Sequence, residues 1–236
     1  TGYPLPTENI GSEKMEILKE DLKQRLVNLD PKKNYFTKYK ALLESTLGKL
    51  PEKSDHLLTI LFSVGGAGAQ KEISTLILKG LNYEIKTGKL KIIFSAGVKE
   101  VVKNYFLNEI KKLNLENFLG KNIEIIFHKE IKSYFQSFNQ SLRKTDILWT
   151  KPSELSFYAG LGIPIIIAPP LGSQEEFNKR WLLSSGFGTL PKNLKFVNQW
   201  LFDWIEKGYF AEMAMEGFLE AEKLGTFNIL KIVSSV

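Results

Sequence analysis

Three short stretches of the chain hold residue types that could do chemistry together. Residues 62–70 read FSVGGAGAQ: an apolar run stops at Gly65 and Gly66, and Gly68 and Ala69 follow. Glycines between a strand and a helix let backbone N–H groups converge, and the helix N-terminus adds positive potential, so phosphate is the natural ligand. A tight turn needing positive φ would use the same residues. The stretch is not a P-loop, because no Gly-Lys-Ser/Thr follows. As a dinucleotide fingerprint it has Gly66-x-Gly68, but Lys71 stands where the third glycine belongs. The second stretch, WTKPSELSFYAGLGIP, spans residues 149–164. Thr150 and Ser153 flank a helix start that Pro152 helps define; with Lys151 as N-cap, Glu154 falls at N3. This reads either as capping alone or as a ring of N–H and hydroxyl donors in which Lys151 neutralises a phosphate. The third stretch is APPLGSQEEFN, residues 168–178. Gln174, Glu175 and Asn178 offer paired donors and acceptors suited to sugar hydroxyls, unless they form only a solvated first turn. A phosphate-friendly loop, a second helix N-terminus and a hydroxyl-friendly loop together describe a nucleotide-sugar site.

Something must hold these loops side by side. Residues 57–64, LLTILFSV, are almost continuously apolar and end in glycine, as expected for a strand buried on both faces. Further strands are expected at 89–94, 122–127, 146–149 and 163–168. Between them lie helical patterns: Ile73, Leu76, Ile77 and Leu81; then Val98, Val101, Val102, Tyr105, Phe106, Ile110 and Leu113; then residues 130–143. Helices are also expected at about 173–184, 193–206 and 208–223. Strict alternation of strand and helix demands an α/β fold, a Rossmann-like doubly wound parallel sheet with right-handed crossovers. In such a sheet ligands bind beyond the carboxyl ends of the strands, where all three stretches fall. Residues 13–49 read as two charged helices split by DPKKN, and PEKSD at 51–55 as a linker. The expected division is therefore a helical extension over 1–55 and a nucleotide-sugar-binding domain over 56–236.

Composition narrows the chemistry. The chain has no cysteine, which excludes disulfides and thiol catalysis, and only His56 and His128 could offer imidazole to a metal, so none is expected. The net charge of +6 comes from scattered lysines, which read as solvated helix faces with no nucleic-acid partner; contact with an anionic membrane surface stays open. No apolar run approaches the ~18–20 residues of a membrane span.

At these residues the sequence resembles the donor-binding C-terminal domain of GT-B glycosyltransferases, in the branch with lipid acceptors: the peptidoglycan lipid N-acetylglucosaminyltransferase and the diacylglycerol glycosyltransferases. That family's Gly-Gly-Ser-x-Gly-Ala loop is similar to Gly65-Gly66-Ala67-Gly68-Ala69-Gln70, which is one residue shorter. Its later pattern resembles Asp146, Thr150-Lys151-Pro152, Gly162-Ile163-Pro164 and Gly172-Ser173-Gln174-Glu175-Glu176-Phe177-Asn178, with SSGFG at 184–188 after them. The likeness covers roughly residues 56–190.

The resemblance implies a nucleoside diphosphate sugar, a UDP-sugar, bound across the sheet edge without a cofactor or metal. Its diphosphate would lie on Gly65, Gly66, Gly68, Ala69, Thr150, Lys151 and Ser153, and its sugar on Gln174, Glu175 and Asn178. The base would lie near Phe127 and His128. The resemblance also implies a cytoplasmic setting, a lipid or glycan acceptor held by a domain preceding Thr1, and a general base in that domain, so that this segment alone binds donor weakly and catalyses nothing. Three departures stand out. The family's ribose-binding glutamate is Phe157 here, with Glu154 one turn earlier as a substitute on the same side; the loop serine is Ala67; and the glycines after Thr-Lys-Pro are Ser153 and Glu154. These departures raise two alternatives on the same fold, a non-catalytic nucleotide-sugar-binding protein and a UDP-sugar epimerase.

Overall fold

The computed structural model describes residues 2–63, 68 and 70–235. Gly65, Gly66, Ala67 and Ala69 of the glycine stretch lie outside the described residues. The chain begins with helices α1 (Thr7–Ile10), α2 (Glu16–Leu29) and α3 (Asn34–Leu47). The alternating part follows as β1 (Thr59–Ser63), α4 (Glu72–Gly80), α5 (Asn82–Lys86), β2 (Lys91–Gly97), α6 (Glu100–Lys112), β3 (Ile123–Phe127), α7 (Ile131–Leu142) and β4 (Ile147–Thr150). A 3-10 segment, Glu154–Leu161, leads to β5 (Ile165–Ile167), α8 (Ser173–Ser184) and β6 (Gly188–Thr189); α9 (Val197–Glu206), α10 (Tyr209–Glu220) and α11 (Gly225–Ser234) close the chain.

The strands form one sheet in the order β3-β2-β1-β4-β5-β6, with every neighbouring pair parallel. The expected doubly wound fold is therefore present, and its winding reverses between β1 and β4. All five residues of β1, all four of β4 and all three of β5 are buried. That is why these strands read as unbroken apolar runs: helices cover both faces. Edge strand β3 keeps Glu124 exposed. Phe62, Phe94 and Phe106 are buried together, Phe94 lying 5.0 Å from Phe106 and 6.1 Å from Phe62 between ring centroids. Each such side chain contributes roughly 1.5–3 kcal/mol on burial.

Helix α2 sits against this core. Leu18, Leu22, Leu26 and Leu29 form its buried stripe, and Arg25 is buried beside them. Arg25 Nε donates to the Thr145 carbonyl at 2.7 Å, Nη1 to Leu161 at 2.9 Å and Nη2 to Leu142 at 3.3 Å. A planar fork with several donors suits three convergent carbonyls; a lysine head does not. Nearby, at the amino ends of the strands, buried Asp146 accepts from the Thr59 N–H at 2.7 Å, Asn28 Nδ2 at 3.0 Å and His56 Nε2 at 3.2 Å. Asp146 thus clasps β4 to the start of β1, at the end of the sheet away from the carboxyl edge.

Several local expectations are corrected. Leu76 is exposed, and Leu78 takes its buried place beside Ile77. Val98 and Val101 stand in solvent, while Val102, Phe106 and Ile110 bury the α6 stripe. Lys151 is not the N-cap of the next helix. The Ser153 N–H donates to the Lys151 carbonyl at 2.7 Å, so Pro152 sits at the centre of a three-residue turn that its fixed φ suits. Ser153 then caps, its Oγ accepting from the Leu155 N–H at 3.5 Å, and Glu154 is the first helical residue rather than N3. Strand β6 and helix α11 add elements that the sequence reading lacked. No helix among the described residues is long and apolar enough to cross a membrane.

Candidate functional site

The reversal of winding brings the carboxyl ends of β1 and β4 together, with Ser63 opposite Thr150. At such a reversal of winding the connecting helices lie on opposite faces of the sheet, and a crevice forms at the switch point. Thr150 is fully buried at its base: its Oγ1 donates to the Ser63 carbonyl at 3.3 Å, and its own carbonyl accepts from the Ala168 N–H at 2.8 Å. The Thr150 hydroxyl therefore supports the floor from below.

Above it lies a cleft of about 410 Å³ whose wall includes Ser63, Gly68, Gly97, Lys151, Ser153, Glu154 and Glu175. Segments far apart in sequence meet here because each follows a strand. Gly68 has φ +73°, and a side chain there would stand 2.7 Å from Val102 Cγ2 on α6. Its glycine is accounted for by backbone conformation and close helix packing. Gln70, which ends the glycine loop and has no role in the sequence reading, donates from Nε2 to the Pro169 carbonyl at 2.7 Å and so ties the start of α4 to the Pro-Pro loop.

Lys151 and Glu175 form an ion pair at 2.5 Å, with side chains only 12% and 18% exposed. Glu175 also accepts from the Leu171 N–H at 2.7 Å. Burial works against its charge, but Lys151 and that N–H prevail and hold the carboxyl below its usual range. Asn178 Nδ2 donates to the Pro152 carbonyl at 3.0 Å, fixing α8 against the Lys151–Ser153 turn. Gln174 is exposed on the first turn of α8. Tyr134, also absent from the sequence reading, reaches the cleft from α7 and shares a 2.8 Å hydrogen bond with Ser95 Oγ. Burial raises its phenol above the ordinary value. Nothing in its sequence context marks it, since a tyrosine on an apolar helix stripe looks like core.

The other positions fall elsewhere. Phe127 and His128 line a separate groove of about 680 Å³ beside β3. Lys103 Nζ lies 4.9 Å from the Phe127 ring centroid, and His128 Nε2 is 2.7 Å from Ser137 Oγ. Phe157 stacks on Tyr3 at 4.1 Å with 12° between planes, and meets Trp181 at 5.6 Å. Glu154 faces the cleft while Phe157 lines a different cavity, so the two do not share a side as expected. The aromatic partners account for a phenylalanine at 157. Among the described residues no cluster of three or more His, Asp or Glu side chains could hold a metal ion.

Comparison with known proteins agrees with this architecture. MurG of Acinetobacter baumannii superposes with a TM-score of 0.51 at 16% identity, over 78% of this chain and 52% of that one. The UDP-GlcNAc 2-epimerase of Neisseria meningitidis, solved with UDP-GlcNAc bound, gives 0.51 at 15% identity, over 87% and 51%. A Listeria monocytogenes protein put forward as a UDP-N-acetylglucosamine 2-epimerase gives 0.55 at 13% identity, over 77% and 45%. At these identities the likeness is one of fold, that of a GT-B C-terminal domain, and the chain spans about half the length of the structures it matches. No curated protein matches the sequence. Residues 51–191 match the family described as a domain of unknown function, DUF6938, and as they make up more than half of the sequence, the chain belongs to that family.

Proposed function

We propose that this chain is the donor-binding half of a glycosyltransferase that uses a nucleoside diphosphate sugar, with a UDP-sugar as donor. One observation carries the reading: the crevice beyond β1 and β4 gathers Gly68, Lys151, Ser153, Glu154 and Glu175 around one volume of about 410 Å³. The diphosphate would lie between the Gly65–Gly68 stretch and the Lys151–Ser153 turn. There Lys151 would exchange its bond with Glu175 for a phosphate oxygen, freeing the Glu175 carboxylate for sugar hydroxyls beside Gln174 and Asn178. Fixed donors of this kind stabilise the charge that develops on the departing diphosphate without a metal. The bond from the anomeric carbon to the diphosphate breaks, the acceptor oxygen takes its place, and the acceptor's proton passes to a base outside the described cleft. A lipid or glycan acceptor would be held by a further domain. For the base to reach Phe127 and His128, the nucleoside would cross Gly97 between cleft and groove.

Titration calorimetry with UDP, UDP-glucose and UDP-N-acetylglucosamine tests this. Binding is expected, with Lys151→Ala weakening it at least tenfold, about 1.4 kcal/mol, and Gly66→Val abolishing it. If no nucleotide binds the intact protein, the proposal fails. Conversion of the UDP-sugar into its epimer at one carbon, with no acceptor present and no net release of UDP, would favour the epimerase alternative.

A further inference from the structure

A second cavity, of about 620 Å³, opens at the opposite end of the sheet, between α2, α3 and residues 49–56. It stands apart from the nucleotide reading, because it lies at the amino ends of the strands. Its floor is apolar: Leu26 and Leu43 are buried there, and Phe36 and Leu50 are half-buried. Its rim is cationic. Four lysines stand against two rim carboxylates, Glu44 and Glu52: Lys40 lies 3.8 Å from Glu44, while Lys33, Lys49 and Lys53 make no ion pair among the described residues. Asp30 is buried below: its Oδ2 accepts from the Phe36 N–H at 2.7 Å, and its Oδ1 has no hydrogen-bond partner among the described residues.

One backbone irregularity falls on the wall of this cavity, and a second lies in α3 outside its lining. Lys33 caps α3 in the left-handed region, with φ 57° and ψ 28° and no side-chain capping bond. A β-carbon there costs roughly 1–2 kcal/mol, and helix caps are normally short polar residues. Helix α3 also breaks at Tyr39, with φ −119° and ψ 25°.

We infer that this cavity is a binding site for an anionic amphiphile, a carboxylate or phosphate joined to an apolar chain. The volume is within the ordinary range for small-molecule sites, where an apolar lining supplies affinity and a few charged groups supply orientation. The tail fills the floor of Leu26, Phe36, Leu43 and Leu50, and the head meets Lys33, Lys49 and Lys53.

The test is calorimetry on the whole chain with decanoate and decyl phosphate below their micelle concentrations, against decyltrimethylammonium and inorganic phosphate. One saturable site is expected for each anionic amphiphile, with the cation and the tailless anion at least tenfold weaker. Replacing all three lysines (Lys33→Glu, Lys49→Glu, Lys53→Glu) should weaken decanoate at least tenfold without moving the urea midpoint by more than the scatter. Bound decanoate should slow amide exchange in residues 26–56 and leave 150–178 unchanged. Absence of a saturable site, equal binding of the cation or of bare phosphate, unchanged affinity in the triple variant, or protection confined to 150–178 would each overturn the assignment.

Discussion

Single side chains divide the sheet into two ends with different work. At the carboxyl end, Lys151 and Glu175 are partly buried and satisfy each other. Such a pair adds little stability over an apolar contact, since desolvation offsets attraction. Its interest is that a phosphate can displace one half of it. At the amino end His56 holds two carboxylates, Asp55 at 2.6 Å through Nδ1 and Asp146 at 3.2 Å through Nε2. Burial alone would lower its pKa, but the hydrogen bonds and charges of Asp146 and Asp55 outweigh burial and raise it above the ordinary 6.5. A raised histidine contributes stability that is fully present below the unfolded value and is lost as pH rises through the folded value. His56→Gln should therefore lower the urea midpoint more at pH 6 than at pH 9. An equal loss at both would show that the ring acts only by its shape. From sequence, His56 offers no more than an imidazole for an unexpected metal, and only His128 is set near the nucleotide base. The buried aspartate that fixes His56 is 90 residues away, a distance at which spacing carries no information.

Among elements, legibility followed burial. Strands β1, β4 and β5 are covered on both faces, so their apolar runs could be read directly. Strand β6 has two residues, one of them glycine, and no pattern to read. Helix α11 buries only Gly225, and its Leu230, Ile232 and Val233 are exposed, so its apolar residues do not mark a buried face. The Pro152 turn was misjudged because proline suits both a first helical turn and the centre of a three-residue turn. The cleft segments were legible since each follows a strand; that Phe157 turns to Tyr3 and Trp181 depended on the fold beyond the motif. Arg25 joins helix α2 to the end of α7, the turn before β4 and the end of the 3-10 segment. Removing a buried charged fork leaves carbonyls short of a donor as well as a void, so Arg25→Ala should cost about 3–5 kcal/mol. Arg25→Lys should recover little of this, because one ammonium cannot span three carbonyls. Urea unfolding reads both; a loss under 1 kcal/mol for the alanine variant would mean the helix is held by its leucines alone.

For the molecule as a whole, a single hydrophobic core takes in residues of α2, the sheet and α10, with α2 packed directly against α10. Opening should grade outward from its centre. Amides of Ile60–Ser63 and Ile147–Thr150 should exchange only by global unfolding, while those of β6 and α11 exchange at least a hundredfold faster. Hydrogen exchange with mass detection would show this, and uniform protection across the sheet would contradict it. The central strands carry the switch point, so the cleft floor rests on the most persistent part of the fold while its walls belong to loops.

The three carbonyls that receive Arg25 have a consequence for how the protein is made. They belong to residues 117 to 136 positions later in the chain. At roughly 5–20 residues per second of synthesis, the guanidinium leaves the ribosome on the order of ten seconds before Leu161 exists to bind it. Through that interval Leu18, Leu22, Leu26 and Leu29 have no finished sheet to cover them. The apolar stripe of α2 is thus expected to stay uncovered until residues 142–161 have been made. Slowing translation between residues 30 and 160 should lower the soluble yield more than slowing it after residue 161.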